Sequence, residues 1–298
     1  MGILNILYDA YKNTDNIYKS IVGDKKEYKD KYEFENSELN VRNWSITESF
    51  YLIKSLLYFK LPFRAPSWTP KYIKRFLFGG SSKYIRDLPE CKDRTCMMFI
   101  NGIMTNKKII LKNKEMLKKI FNRPINIIYN DTDFLIGDLL ESLIDRNTKD
   151  LSDISTFALY EISKKLTDPN IERIVLLCYS QGTIITSKVL KGLSKIGLDQ
   201  EIYLKKLEIY AFANCSQKMQ YIKGEYPYME HFANSNDFVA KIGCNVSEKF
   251  IKSGEVLIDG KVFIADKSGH MLNIHYINNF KNDYPDSKLN EYITSKED

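Results

Sequence analysis

From Arg94 onward the chain alternates between short apolar runs and stretches whose apolar residues recur every three or four positions. Residues 96–100, 125–129, 174–178, 207–213 and 231–233 read as strands. Residues 108–121, 134–166 (interrupted near 146–151) and 181–193 carry the helical period. Strands that alternate with helices predict an α/β fold, a mainly parallel sheet of about six strands flanked by helices. Near the end, Val256-Leu257-Ile258 and residues 261–264 lie either side of Asp259-Gly260, which predicts a hairpin with an Asp-Gly turn.

Residues 1–90 have a different texture, rich in Tyr and Lys and mostly helical in period. Ser45-Ile46-Thr47-Glu48 makes a capping box, and Ile46, Phe50, Ile53, Leu56 and Leu57 follow at helical spacing. Pro62, Pro66 and Pro70 break that pattern, and Gly79-Gly80 ends a short basic-aromatic helix over 71–78. The chain therefore divides into a helical N-terminal extension, 1–90, and an α/β unit, 91–298. Residues 46–78 read as a helical layer over the sheet. Their aromatics with Lys71, Lys74 and Arg75 also suit a lid or a membrane-facing surface.

Composition narrows the function classes. Apolar residues form 44% of 298, enough for a large core. The net charge is +6 with signs interspersed, too mild for a nucleic-acid binder but favourable to an anionic surface or substrate. Five cysteines, 91, 96, 178, 215 and 244, show no metal-ligand spacing and read as reduced thiols; Cys91 and Cys96 flank a strand start. No signal-peptide pattern and no run of about 18 apolar residues is present, and Ile6 stands where a myristoylation motif needs Ser or Thr. The expectation is a cytoplasmic protein with peripheral membrane contact.

The most chemically informative stretch is Arg173-Ile174-Val175-Leu176-Leu177-Cys178-Tyr179-Ser180-Gln181-Gly182. An apolar strand ends at Ser180, a helix begins at once, and the residues two before and two after, Cys178 and Gly182, are small. A nucleophile at a sharp strand-to-helix turn needs that spacing, because larger side chains would collide.

A serine hydroxyl needs a base, and the base needs an acid to hold its tautomer. Of three histidines, His231 lies inside a predicted strand, where packing is its expected role. His270 follows Ser268-Gly269 after the last strand, on the same rim of the sheet as Ser180. His275 is the other option, about 140° further around a helix, so the two cannot both face the serine. Asp237, in Asn234-Ser235-Asn236-Asp237, follows a predicted strand and supplies the acid; it would otherwise be a helix cap. Asp266 and Asp259 are weaker options.

An oxyanion also needs donors. The N–H of Gln181 is one, and Ile103 in Asn101-Gly102-Ile103-Met104 is the other, with Met104 as alternative. The carboxylates of Tyr129-Asn130-Asp131-Thr132-Asp133 reach the same rim, where capping the next helix is their expected work.

Together, residues 99–105, 178–182, 236–239 and 269–272 resemble the α/β-hydrolase superfamily, in particular its lipase and serine-esterase branches, across roughly residues 94–280. The resemblance implies Ser180 as nucleophile, Asp237 as acid and His270 as base, in the superfamily's order Ser, Asp, His. It also implies an oxyanion loop at Asn101-Gly102-Ile103, with Asn in place of the usual His, and Cys178 in place of the first elbow Gly. The implied function is hydrolysis of a lipid or small-molecule carboxylic ester, without metal or organic cofactor. The contrasting expectation is a non-catalytic scaffold of the same fold that binds a membrane or a partner protein.

Overall fold

Val175, Leu176, Leu177, Ile209, Tyr210 and Ala211 are all buried, so adjacent side chains on opposite faces of these strands both lie in core. Such strands are covered on both sides, which is the condition for a parallel sheet. The computed structural model describes residues 2–23, 37, 38, 40, 86, 87, 91–103, 105–130 and 152–293. Its main sheet has seven strands: β1 (Arg86–Asp87), β2 (Thr95–Ile100), β3 (Ile125–Ile128), β4 (Arg173–Tyr179), β5 (Leu207–Phe212), β7 (Tyr228–Asn234) and β9 (Lys261–Ala265). Their spatial order is β1-β3-β2-β4-β5-β7-β9, and every pairing is parallel except β1 with β3.

Helices cover both faces, as the alternating pattern predicts. On one face, α3 (Lys107–Phe121) packs Ile110, Leu117 and Phe121 with Phe99, Leu177, Tyr210 and Phe212. The segment 272–292 shares that face. On the other, α4 (Asp153–Thr167) and α5 (Gln181–Lys195) pack Ile162, Leu166, Ile185 and Val189 against Met98, Ile174, Leu176 and Ile209.

The chain leaves β2 through α3 to β3 on one side, and later places β4 on the other side of β2. The direction of winding reverses there, and the carboxyl ends of strands at such a reversal are the usual ligand position in open α/β sheets.

The expected hairpin over 256–264 does not form. β8 (Leu257–Ile258) pairs parallel with β6 (Lys218–Met219) in a separate two-stranded sheet, and β9 joins the main sheet beside β7. Asp259 explains the change: its N–H donates to Met219 C=O and its carboxylate accepts the Tyr221 N–H. Gly260, at φ +101, then swings the chain into the other sheet. Asp-Gly chemistry made a turn, but tertiary partners assigned its two arms to different sheets.

Within the N-terminal extension, α1 (Gly2–Lys12) and α2 (Ile17–Val22) are helices, as its period predicts. Ile6 and Ala10 of α1 pack with Phe238, Val239, Ile242 and Phe250, against the loop after β7. The capping box at Ser45, the helix over 71–78 and the lid reading of 46–78 lie outside the described residues. No helix among the described residues is long and apolar enough to cross a membrane.

Candidate functional site

Ser180 links β4 to α5 with φ 52 and ψ −122, a conformation that costs a non-glycine residue about 1–3 kcal/mol. Three bonds hold it there. Its N–H donates to Phe212 C=O (3.0 Å), and its carbonyl accepts the Thr183 N–H (2.9 Å) and Thr183 hydroxyl (2.7 Å). Small neighbours are required by contact: a Cβ at Gly182 would stand 2.4 Å from the Ile100 carbonyl oxygen. At the other flank Cys178 is fully buried among the core side chains of α5.

The hydroxyl of Ser180 lies 3.1 Å from His270 Nε2, and His270 Nδ1 lies 2.8 Å from Asp237 Oδ2. Since a carboxylate only accepts, Nδ1 donates, which leaves Nε2 to accept the serine proton. Asp237 is fully buried, and its second oxygen accepts the Val239 N–H at 2.8 Å. Ser180 and His270 are also nearly closed off, at 1% and 7% exposure. A low-dielectric site of this kind strengthens each polar contact within it.

Several partners of this group carry no sequence signal of their own. The Tyr276 hydroxyl donates to Asp237 Oδ2 at 2.5 Å and accepts the Asn234 N–H. The Tyr179 hydroxyl donates to the His270 carbonyl at 2.7 Å, and the two rings lie 5.0 Å apart. From α2, the Ile21 carbonyl accepts the His270 N–H at 2.9 Å, so the N-terminal extension helps set the histidine loop. Glu38 Oε1 accepts the Asn273 N–H at 2.9 Å on the same loop. Burial pushes the Glu38 carboxyl up to about 7.

The loop after β2 meets the serine directly. A Cβ at Gly102 would lie 2.7 Å from Ser180 Cβ, so only glycine leaves room, and Ile103 follows at once. Asn101 binds this loop to the end of β3, donating to the carbonyls of Gly102 and Asn130 and accepting the Asn130 N–H, each at 2.8 Å. Asn130 in turn donates to Gln181 Oε1 at 2.6 Å. A chain of amides thus ties the Gln181 side chain to Gly102, the residue just before Ile103. Asn130 belongs to this chain; Met104, Asp131 and Asp133 lie outside the described residues.

The other options are placed elsewhere. His275 accepts the Met271 N–H through Nδ1 and hydrogen-bonds the Val22 backbone, and burial pushes its imidazole down to about 3. His231 lies between Asn214 and the Asp259 carbonyl, and burial lowers it to about 4. Asp266 accepts the Ser235 hydroxyl, and Asp259 holds the sheet crossing described above. Among the described residues no group of three or more His, Cys, Asp or Glu could hold a metal ion.

A hydroxyl, an imidazole and a carboxylate in series can move a proton off oxygen while the oxygen attacks an electrophile. No protein-family model and no curated protein matches this chain.

Proposed function

We propose that this protein is a serine hydrolase of the α/β-hydrolase type that cleaves carboxylic esters, with a lipid acyl ester as the expected substrate class. The observation that carries the reading is the continuous path from Ser180 Oγ through His270 to Asp237, starting from a strained strand-to-helix elbow. The chain order Ser, Asp, His and the approach of Gly102 to Ser180 support it.

In the proposed reaction Ser180 Oγ attacks the acyl carbon as its proton passes to His270 Nε2. Asp237 holds Nδ1–H and stabilises the imidazolium. The oxyanion is received by the N–H groups of Gln181 and Ile103, where each donor is worth about 10²–10³ in rate. His270 then protonates the departing alcohol oxygen, the ester C–O bond breaks, and an acyl-serine remains. Water, deprotonated by His270, attacks that acyl carbon, and Ser180 leaves with its proton restored.

The near-complete burial of Ser180 favours a second reading, a non-catalytic scaffold whose serine never meets substrate. A fluorophosphonate probe separates the two. Wild type is expected to label on Ser180, and Ser180→Ala is expected not to label. Folded wild type that never labels, or Ser180→Ala that still does, would overturn the enzyme reading. A series of p-nitrophenyl esters of increasing chain length, with and without anionic vesicles, then tests the lipid preference.

A further inference from the structure

The only tight hairpin at the amino end of β2 among the described residues brings two thiols face to face. Lys92 and Thr95 exchange both backbone hydrogen bonds, at 3.1 and 2.9 Å, and the intervening Asp93 and Arg94 sit at φ 51 and 56. That is a two-residue turn with both central residues left-handed, the type whose twist matches antiparallel strands. Because 92 and 95 form a hydrogen-bonded pair, the next pair outward, Cys91 and Cys96, is a non-hydrogen-bonded one. In such pairs the Cα atoms stand about 4.5 Å apart with side chains on the same face. A disulfide needs Cα atoms about 4.4–6.8 Å apart, so the backbone requires no rearrangement.

We propose that Cys91 and Cys96 form a reversible intramolecular disulfide when the protein meets a peroxide, which makes the amino end of β2 a thiol redox site. Both side chains lie on the same core face of the sheet, Cys96 within it and Cys91 packed against it. Cys91 is half-buried and reachable, while Cys96 is fully buried, with Asn126 Nδ2 donating to its sulfur at 3.4 Å. The neighbouring Cys96, with Lys165 nearby and against burial and Asp168, holds the Cys91 thiol down to about 7, and Cys96 is raised. Cys91 is therefore the attacking thiolate and Cys96 the resolving thiol.

The steps balance. The Cys91 thiolate attacks one peroxide oxygen; an S–O bond forms, the O–O bond breaks, and the departing oxygen takes a proton. Cys96 sulfur then attacks the Cys91 sulfenic sulfur. An S–S bond forms, the S–O bond breaks, and the hydroxyl leaves as water with the Cys96 proton. Two thiols lose two electrons and the peroxide gains them. This site is independent of the proposed hydrolase chemistry, and nothing in its test depends on esterase activity.

The full chain, treated with hydrogen peroxide and then denatured, is expected to lose two of its five titratable thiols. Trypsin cuts after Lys92 and Arg94, so the Cys91 and Cys96 peptides separate when reduced and travel together when linked. Linked peptides that dithiothreitol separates are the expected result. In Cys96→Ser, Cys91 is expected to stop at the sulfenic acid and react with dimedone, an adduct absent from peroxide-treated wild type. Retention of all five thiols, linkage to another cysteine, or direct passage of Cys91 to sulfinic acid would overturn the proposal. The wild-type peptide map stands even if the serine variant fails to fold.

Discussion

Asp237 Oδ2 receives two hydrogens at once, from His270 Nδ1 and from the Tyr276 hydroxyl, and this makes Tyr276 a positioning residue for the proposed base. A hydrogen bond to a charged group contributes about 1.5–3 kcal/mol, so Tyr276→Phe is expected to lower kcat about tenfold or more with little change in KM. An unchanged kcat together with a lower thermal midpoint would reduce Tyr276 to a structural role. Ser180, Asp237 and His270 were legible in the sequence because each follows a strand-like run on one predicted rim. Tyr276, Tyr179 and Asn130 were not, since a lone Tyr or Asn reads equally well as packing or capping.

At the scale of elements, the turn between β4 and α5 depends on how closely β2 passes. The Cβ of Gly182→Ala would press on the backbone oxygens of Ile100 and Asn101, at 2.4 and 3.0 Å, and backbone cannot rotate away. The variant is expected to lose about 3 kcal/mol, read as a lower urea midpoint at unchanged slope. It should also lose probe labelling in proportion to the elbow's distortion. A stable, fully labelled Gly182→Ala would mean that β2 and α5 can separate without cost. The central strands and helices were readable from periodicity because burial on one or both faces writes itself into local sequence. The hairpin over 256–264 was misread because hydrogen bonds to Met219 and Tyr221, some 40 residues earlier, decide where each arm pairs.

Across the whole molecule, three buried titratable groups give stability a predictable pH dependence. His231 and His275 are lowered from 6.5 to about 4 and about 3, so the unfolded chain binds protons first as pH falls. Their contribution is complete above pH 6.5 and is lost progressively below it. Glu38 is raised from 4.5 to about 7, and its contribution runs the other way, complete below 4.5 and lost as pH rises through 7. Glu38→Gln keeps an acceptor for the Asn273 N–H and removes the titration. The variant is expected to lose stability more steeply than wild type as pH falls from about 6.5 to about 5, and the two slopes converge above about pH 7. Urea midpoints at a series of pH values check this; parallel curves would show that Glu38 does not titrate in that range.

Local sequence alone writes the layered α/β class, the tight turn at Ser180 and the rim that Ser180, Asp237 and His270 share. Those follow from local rules: hydrophobic period, the small residues a tight turn demands, and the fact that parallel strands end on one side. Folding is what turns His270 rather than His275 toward the serine, because the Met271 N–H and the Val22 backbone occupy His275. It alone set Asp259-Gly260 as a crossing between sheets. In each case the deciding partner competes for a hydrogen bond or a face, and that competition is resolved only when the chain is folded.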